Sequence, residues 1–104
     1  MYRFKSKADG DLIMMAPVGE QILRILGREP AAKGIIEAAA LPDAIRALEE
    51  AIAAAELVRR DAKRTDNDDD ERGAEAVGLA QRAWPMLEMM RRSLAEHADI
   101  VWGV

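Results

Sequence analysis

Apolar and polar positions alternate at the start of the chain. Tyr2 and Phe4 are interleaved with Arg3 and Lys5, and a second extended run, Leu12 to Met15, follows Asp9-Gly10. An Asp-Gly pair suits a tight hairpin turn, whose two central positions need positive φ. A two-residue loop there sets the register, with Lys7 opposite Leu12, Ser6 opposite Ile13, Lys5 opposite Met14 and Phe4 opposite Met15. Cross-strand partners share a face. The expected core face therefore carries Tyr2, Phe4, Ile13 and Met15, and the other face Arg3, Lys5, Lys7, Leu12 and Met14.

Helical spacing follows Pro17. Val18, Ile22, Ile25 and Leu26 predict a short helix over about 18–26, with Gly27 where a left-handed C-terminal residue is wanted. Gly34 to Glu37 reads as a short extended piece. Pro42 suits the first turn of a long second helix, since its missing N–H would be unpaired there anyway. Ile45, Leu48, Ile52 and Ala55 form that helix's apolar stripe, which fades near Lys63. A third helix is expected over about 79–96, with Leu79, Ala83, Leu87, Met90 and Leu94 on one side and Met86 widening the stripe. Pro85 inside this pattern removes one intrahelical hydrogen bond and crowds an earlier carbonyl. Either the helix kinks there or Pro85 opens a shorter helix; the unbroken spacing favours the kink. Ile100-Val101-Trp102 is a short strand that joins the hairpin. The order ββα(β)ααβ makes a single α+β domain over 1–104, a small sheet covered by three helices in two layers.

Composition narrows the function classes. The chain has 104 residues, 50% hydrophobic and 33% charged, with 15 basic and 19 acidic side chains and a net charge of -4. That describes one globular domain, and it argues against a disordered chain or a strongly basic nucleic-acid binder. The absence of cysteine excludes disulfides, zinc fingers, iron–sulfur clusters and thiol catalysis. With four aromatics (Tyr2, Phe4, Trp84 and Trp102), the core has to be built from Leu, Ile, Met and Ala. No run approaches the roughly twenty apolar residues of a membrane span. Met1 to Lys5 does not resemble a secretory signal, so the cytoplasm is the expected location.

Several segments together resemble a family of small uncharacterised bacterial proteins, domain of unknown function 1840. They are Arg3-Phe4-Lys5-Ser6-Lys7-Ala8, Gly10-Asp11, Ile13-Met14, Gln21-Ile22-Leu23-Arg24, Gly34-Ile35-Ile36, Pro42 with Ala44-Ile45 and Leu48-Glu49, Gln81-Arg82-Ala83-Trp84-Pro85, and Asp99-Ile100-Val101-Trp102. The likeness spans nearly the whole chain apart from the acidic run, and it implies no activity. It also implies a serine where Gly78 stands, so the third helix would start without that N-cap.

The candidate chemistry is sparse. The acidic run, placed in a solvated loop at about 64–74, fails as a calcium loop. Counting from Asp66, the sixth position is Glu71 where glycine is needed, and the twelfth is Val77 where glutamate is needed. His97 follows Ser93 by four residues, but a helix-surface pair lacks a pocket and oxyanion donors; a cation near a helix C-terminus is the simpler account. Turn chemistry explains Asp9 and Asp11. No catalytic, cofactor-binding or metal-binding residue is assigned, and no cofactor is expected. Met86 and Met90 fit the core, whereas Met89 lies off the centre of the stripe and Met14 falls on the basic face. Arg3, Lys5 and Lys7 read as charges protecting an edge strand, their stems lying over Leu12 and Met14.

One packing mismatch points to function. Leu12 to Met15 and Ile100 to Trp102 are apolar on both faces, while three helices cover only one side of a small sheet. The uncovered side marks a partner surface. Its candidates are Arg3, Lys5, Leu12, Met14 and Trp102, with Met89 on the helix surface. The expected function is a non-enzymatic protein-interaction module that forms a homo-oligomer or binds another protein. The alternative is small-ligand binding or a minor enzymatic activity in a cleft near Trp84, Pro85 and Trp102. Nucleic-acid binding ranks third, because three basic residues on an acidic chain are a weak signature. No membrane partner is expected.

Overall fold

The hairpin turns two residues earlier than its Asp-Gly pair. The computed structural model describes residues 1–64 and 70–103, with the side chains at 59, 61–64 and 70–77 excepted. Strands β1 (Tyr2–Ser6) and β2 (Asp9–Met14) are joined by Lys7-Ala8, and neither turn residue has a positive φ. Turns of that hand splay the flanking strands, and a β-bulge restores the ladder. Phe4 pairs with Leu12 but Ser6 pairs with Asp9, so Lys5 opposes both Gly10 and Asp11. Asp9-Gly10 belongs to this bulge, where the Asp9 carboxylate accepts the Gly10 N–H at 2.8 Å.

The consequence is an inverted second strand. Tyr2 pairs with Met14 and Arg3 with Ile13, three residues away from the register expected of an Asp-Gly turn. An odd slip moves every side chain to the opposite face. Leu12 and Met14 therefore point into the core with Tyr2 and Phe4, while Ile13 and Met15 are 53% and 71% exposed. The expected core face was right for β1 and reversed for β2.

The chain continues through α1 (Ala16–Ile25), β3 (Gly34–Ile36), a 3-10 turn (Ala38–Ala40), α2 (Leu41–Arg64), α3 (Asp70–Ala95) and β4 (Ile100–Trp102). All strand pairings are antiparallel, in the order β2-β1-β4-β3. The fold is α+β with three helices, as expected. β1, however, is an interior strand between β2 and β4, so Arg3 and Lys5 do not guard an edge.

Local chemistry accounts for the helix ends. α1 starts ahead of Pro17, which sits in its first turn and there gives up no intrahelical bond. It ends in a Schellman motif: the Arg28 N–H bonds to the Leu23 carbonyl, the Gly27 N–H to the Arg24 carbonyl, and Gly27 has φ 77°. α2 has Pro42 in its first turn. α3 begins at Asp70 and runs through Pro85 as one helix. The expected acidic loop is thus helical from 70 to 74, and its residues 65–69 lie outside the described residues. Gly78 is interior to α3, so no cap is required there.

α3 is buried on two sides, which explains Met89. Met86, Met89 and Ser93 follow one helical stripe, and Ser93 reaches β1; Ala83, Leu87 and Met90 follow the adjacent stripe, and α3 packs on both α2 and the sheet. A helix wedged between a sheet and another helix has a wider apolar sector than a surface helix. Met89, expected at the surface, is 1% exposed. Trp102 is equally enclosed. Its ring packs against Phe4 with centroids 5.7 Å apart, and its indole N–H donates to the Ala31 carbonyl at 3.0 Å.

A short hydroxyl relay fastens the hairpin to α3. The fully buried Ser93 donates to the Met89 carbonyl at 2.7 Å, so the 2.7 Å contact between Ser6 and Ser93 takes its proton from Ser6. Ser6 in turn accepts the Ala8 N–H at 3.1 Å and so holds the turn. Ser93→Ala leaves the Ser6 hydroxyl without its acceptor and is expected to cost about 1 kcal/mol in urea denaturation. Ser6→Ala should add much less in the Ser93→Ala background than in the wild type; equal costs in both would show that the two hydroxyls are not coupled.

Candidate functional site

The sheet divides its residues cleanly between two faces. Toward the helices point Tyr2, Phe4, Ser6, Leu12, Met14, Gly34, Ile36, Ile100 and Trp102, as their cross-strand pairing requires. The opposite face carries Arg3 and Lys5 on β1, Ile13 on β2, Val101 on β4 and Ile35 on β3. Ile35 is 41% exposed. Arg3 pairs with Ile13, and Val101 lies between Lys5 and Ile35. The bare face thus has a basic centre line flanked by aliphatic side chains on both edge strands.

Two open depressions adjoin this face, with Lys5 common to both. One, of about 490 Å³, is bordered by Met1, Tyr2, Arg3, Lys5, Ala16, Ala32 and Gly103. The other, of about 430 Å³, is bordered by Lys5, Ser6, Lys7, His97, Ala98, Asp99 and Val101. His97 occupies an unusual position there. α3 closes in a second Schellman motif, with the Ala98 N–H on the Ser93 carbonyl and the His97 N–H on the Leu94 carbonyl. His97 fills the left-handed site, with φ 53°. Glycine is the usual residue there, and a side chain costs about 1–2 kcal/mol.

The candidate surface residues separate. Arg3 is exposed and Lys5 half-buried on the bare face, and Leu12 is half-buried against the core. Met14, Met89 and Trp102 are core residues, which corrects their expected exposure. Met14 moved inward with the register of β2, Met89 because α3 is covered twice, and Trp102 because the inner face of β4 meets Gly34 and Phe4. Ile13, Met15 and Ile35 take their place at the surface. No polar marker interrupts Leu12 to Met15, so the orientation of that strand rested on the turn together with the bulge that follows it.

The other candidates stay apart. Trp84 is 51% exposed on α3 beneath the Arg91 guanidinium, 5.6 Å from the ring centroid, and neither depression includes Trp84, Pro85 or Trp102. Arg91 also pairs with Glu49 of α2 at 2.9 Å. Ser93 is buried and bonded while His97 is exposed, so they form no catalytic pair. Asp9 accepts from Arg92 at 3.2 Å, and Asp99 accepts the Ala38 N–H at 2.8 Å, capping the 3-10 turn. Among the described residues no group of three or more metal-ligating side chains comes together, and no helix is long and apolar enough to cross a membrane.

No curated protein and no solved structure shows significant similarity to this chain. The segments that carry the family likeness are those that build the sheet, the helical core and the loop before β4. Residues 1–102 match the model of the domain of unknown function DUF1840, and the chain belongs to that family.

Proposed function

We propose that the protein is a non-enzymatic interaction module of the cytoplasm that self-associates through the bare face of its sheet. The observation that carries this reading is the exposure of both Ile13 and Ile35, on the two edge strands of a sheet whose other face packs on the helices. Exposed aliphatic side chains grouped on one face favour a partner. The strand order suits a second copy. A two-fold axis parallel to the strands would lay β1 on β4 of the partner and β2 on its β3. Lys5 would then lie over Val101 of the partner subunit rather than over another lysine, and Ile13 would sit two residues along the strands from Ile35 of the partner subunit.

Size sets the strength. Four strands about 4.8 Å apart make a face roughly 20 Å wide, at or below the lower end of stable interfaces. The expected assembly is therefore a weak dimer in rapid exchange. Sedimentation equilibrium over a wide concentration range should show reversible dimerisation, abolished by Ile13→Asp with Ile35→Asp while the circular dichroism spectrum is kept. A wild-type chain that stays monomeric at millimolar concentration would exclude self-association as the role of this face.

A further inference from the structure

We propose that the depression between the β1–β2 turn and the loop before β4 binds a small phosphate-bearing anion. Three cationic or N–H-bearing side chains reach its rim from three parts of the chain: Lys5 from β1, Lys7 from the turn and His97 from the end of α3. None of the three makes an ion pair or a side-chain hydrogen bond among the described residues. Imidazole offers an N–H donor in either neutral tautomer, and lysine offers three donors. Donors converging from separate elements suit the tetrahedral oxygens of a phosphate better than the planar pair of a carboxylate. At about 430 Å³ the hollow exceeds a bare phosphate and has room for the ester group of a small metabolite.

Two features oppose an anion here, and the structure offsets each in part. The Asp99 side chain is engaged with the Ala38 N–H. In the last turn of α3 the carbonyls of Arg92, Ser93 and Leu94 accept N–H groups from Glu96, Ala98 and His97, which lessens the negative charge exposed at that end. The backbone adds a separate indication. Residue 97 stands where glycine would be free of strain, and what the histidine supplies in exchange is its imidazole at the rim. Ser6 is not a donor to the ligand, since its proton goes to Ser93; that bond positions the turn carrying Lys7.

The site goes beyond self-association but shares Lys5 and Val101 with the proposed dimer face, so it is tested by amide NMR of the full chain, at a concentration where it is monomeric, titrated with inorganic phosphate. Sodium acetate and sodium chloride at matched ionic strength are the controls. Saturable shifts at residues 5–7 and 97–101 are expected with phosphate, with a dissociation constant of millimolar order. Phenyl phosphate should bind more tightly than phosphate. Lys7→Ala and Lys5→Met should each weaken binding about threefold or more, and together about tenfold. His97→Gly is the discriminating variant: it should leave the melting temperature unchanged or higher while weakening phosphate binding about threefold. Shifts that fail to saturate, acetate binding as well as phosphate, or a His97→Gly protein that binds like the wild type would each overturn the proposal.

Discussion

Gly34→Ala is expected to lower the stability of the domain by about 2–4 kcal/mol, the cost of overpacking together with a lost hydrogen bond. A Cβ at this position would stand 2.1 Å from the Trp102 ring, well inside contact distance. The ring cannot step aside cheaply. It is 2% exposed, wedged against Phe4 and tethered to the Ala31 carbonyl through its indole N–H. Moving it would break that bond and open the pairing of β3 with β4, since Gly34 and Trp102 are direct cross-strand partners. Gly19→Ala makes an informative comparison. Its Cβ would crowd the Tyr2 ring and Cβ, so that side chain must also shift, but Tyr2 is only half-buried and no hydrogen bond among the described residues holds its ring. Alanine also favours the helix by about 1 kcal/mol. Urea denaturation followed by tryptophan fluorescence should rank Gly34→Ala below Gly19→Ala. A Gly34→Ala protein within about 0.5 kcal/mol of wild type would show that the Trp102 ring is not held as described.

That glycine was legible in the sequence only as part of an extended piece, and the contrast with the helices is instructive. The stripes Ile45–Leu48–Ile52–Ala55 and Ala83–Met86–Leu87–Met90 are set by neighbours three and four residues apart, so the order of elements and most of the helical core could be read locally. The face of β2 could not. Moving the turn from Asp9-Gly10 to Lys7-Ala8 shifts the pairing by four and by itself keeps the faces; the bulge opposite Lys5 reduces the slip to three, and that odd parity exchanged Ile13 and Met15 for Leu12 and Met14. Met89 was misread for a related reason, because the count of helix faces covered is a tertiary fact. Three helices do cover one face of the sheet only, but Met14, Met89 and Trp102, expected on exposed surfaces, lie in the core. His97 was placed at the end of its helix, but its left-handed backbone and its meeting with Lys5 and Lys7 depend on contacts far apart in sequence.

The two faces of the sheet are linked through β1, whose alternate residues serve opposite roles. Phe4 anchors the inner layer while Arg3 and Lys5, on either side of it, stand on the bare face. Anything that loosens Phe4 therefore disturbs the outer surface as well, without touching it directly. The same strand carries Ser6, so the position of Lys7 depends on the bond to Ser93. The outer surface is preorganised by inner packing.

Phe4→Ala is the substitution expected to show this most strongly, at a cost of about 3–5 kcal/mol. Phe4 is fully buried, stacks on Tyr2 with centroids 6.0 Å apart and meets Trp102 at 5.7 Å. Trp102 is tethered through its indole N–H and the rest of the buried core is Ile, Leu, Met and Ala, so the space is not refilled. Small domains commonly have about 5–15 kcal/mol of stability, so the loss is a large share of the total. At about 4–8 °C for each kcal/mol, the melting temperature should fall by more than ten degrees. Phe4→Leu keeps most of the volume and should cost well under half as much, which separates the cavity from any disturbance of the strand itself. Thermal melts of the two variants, followed by far-ultraviolet circular dichroism, decide the point. If both lose the same amount, the aromatic contacts rather than the filled volume hold β1 in place.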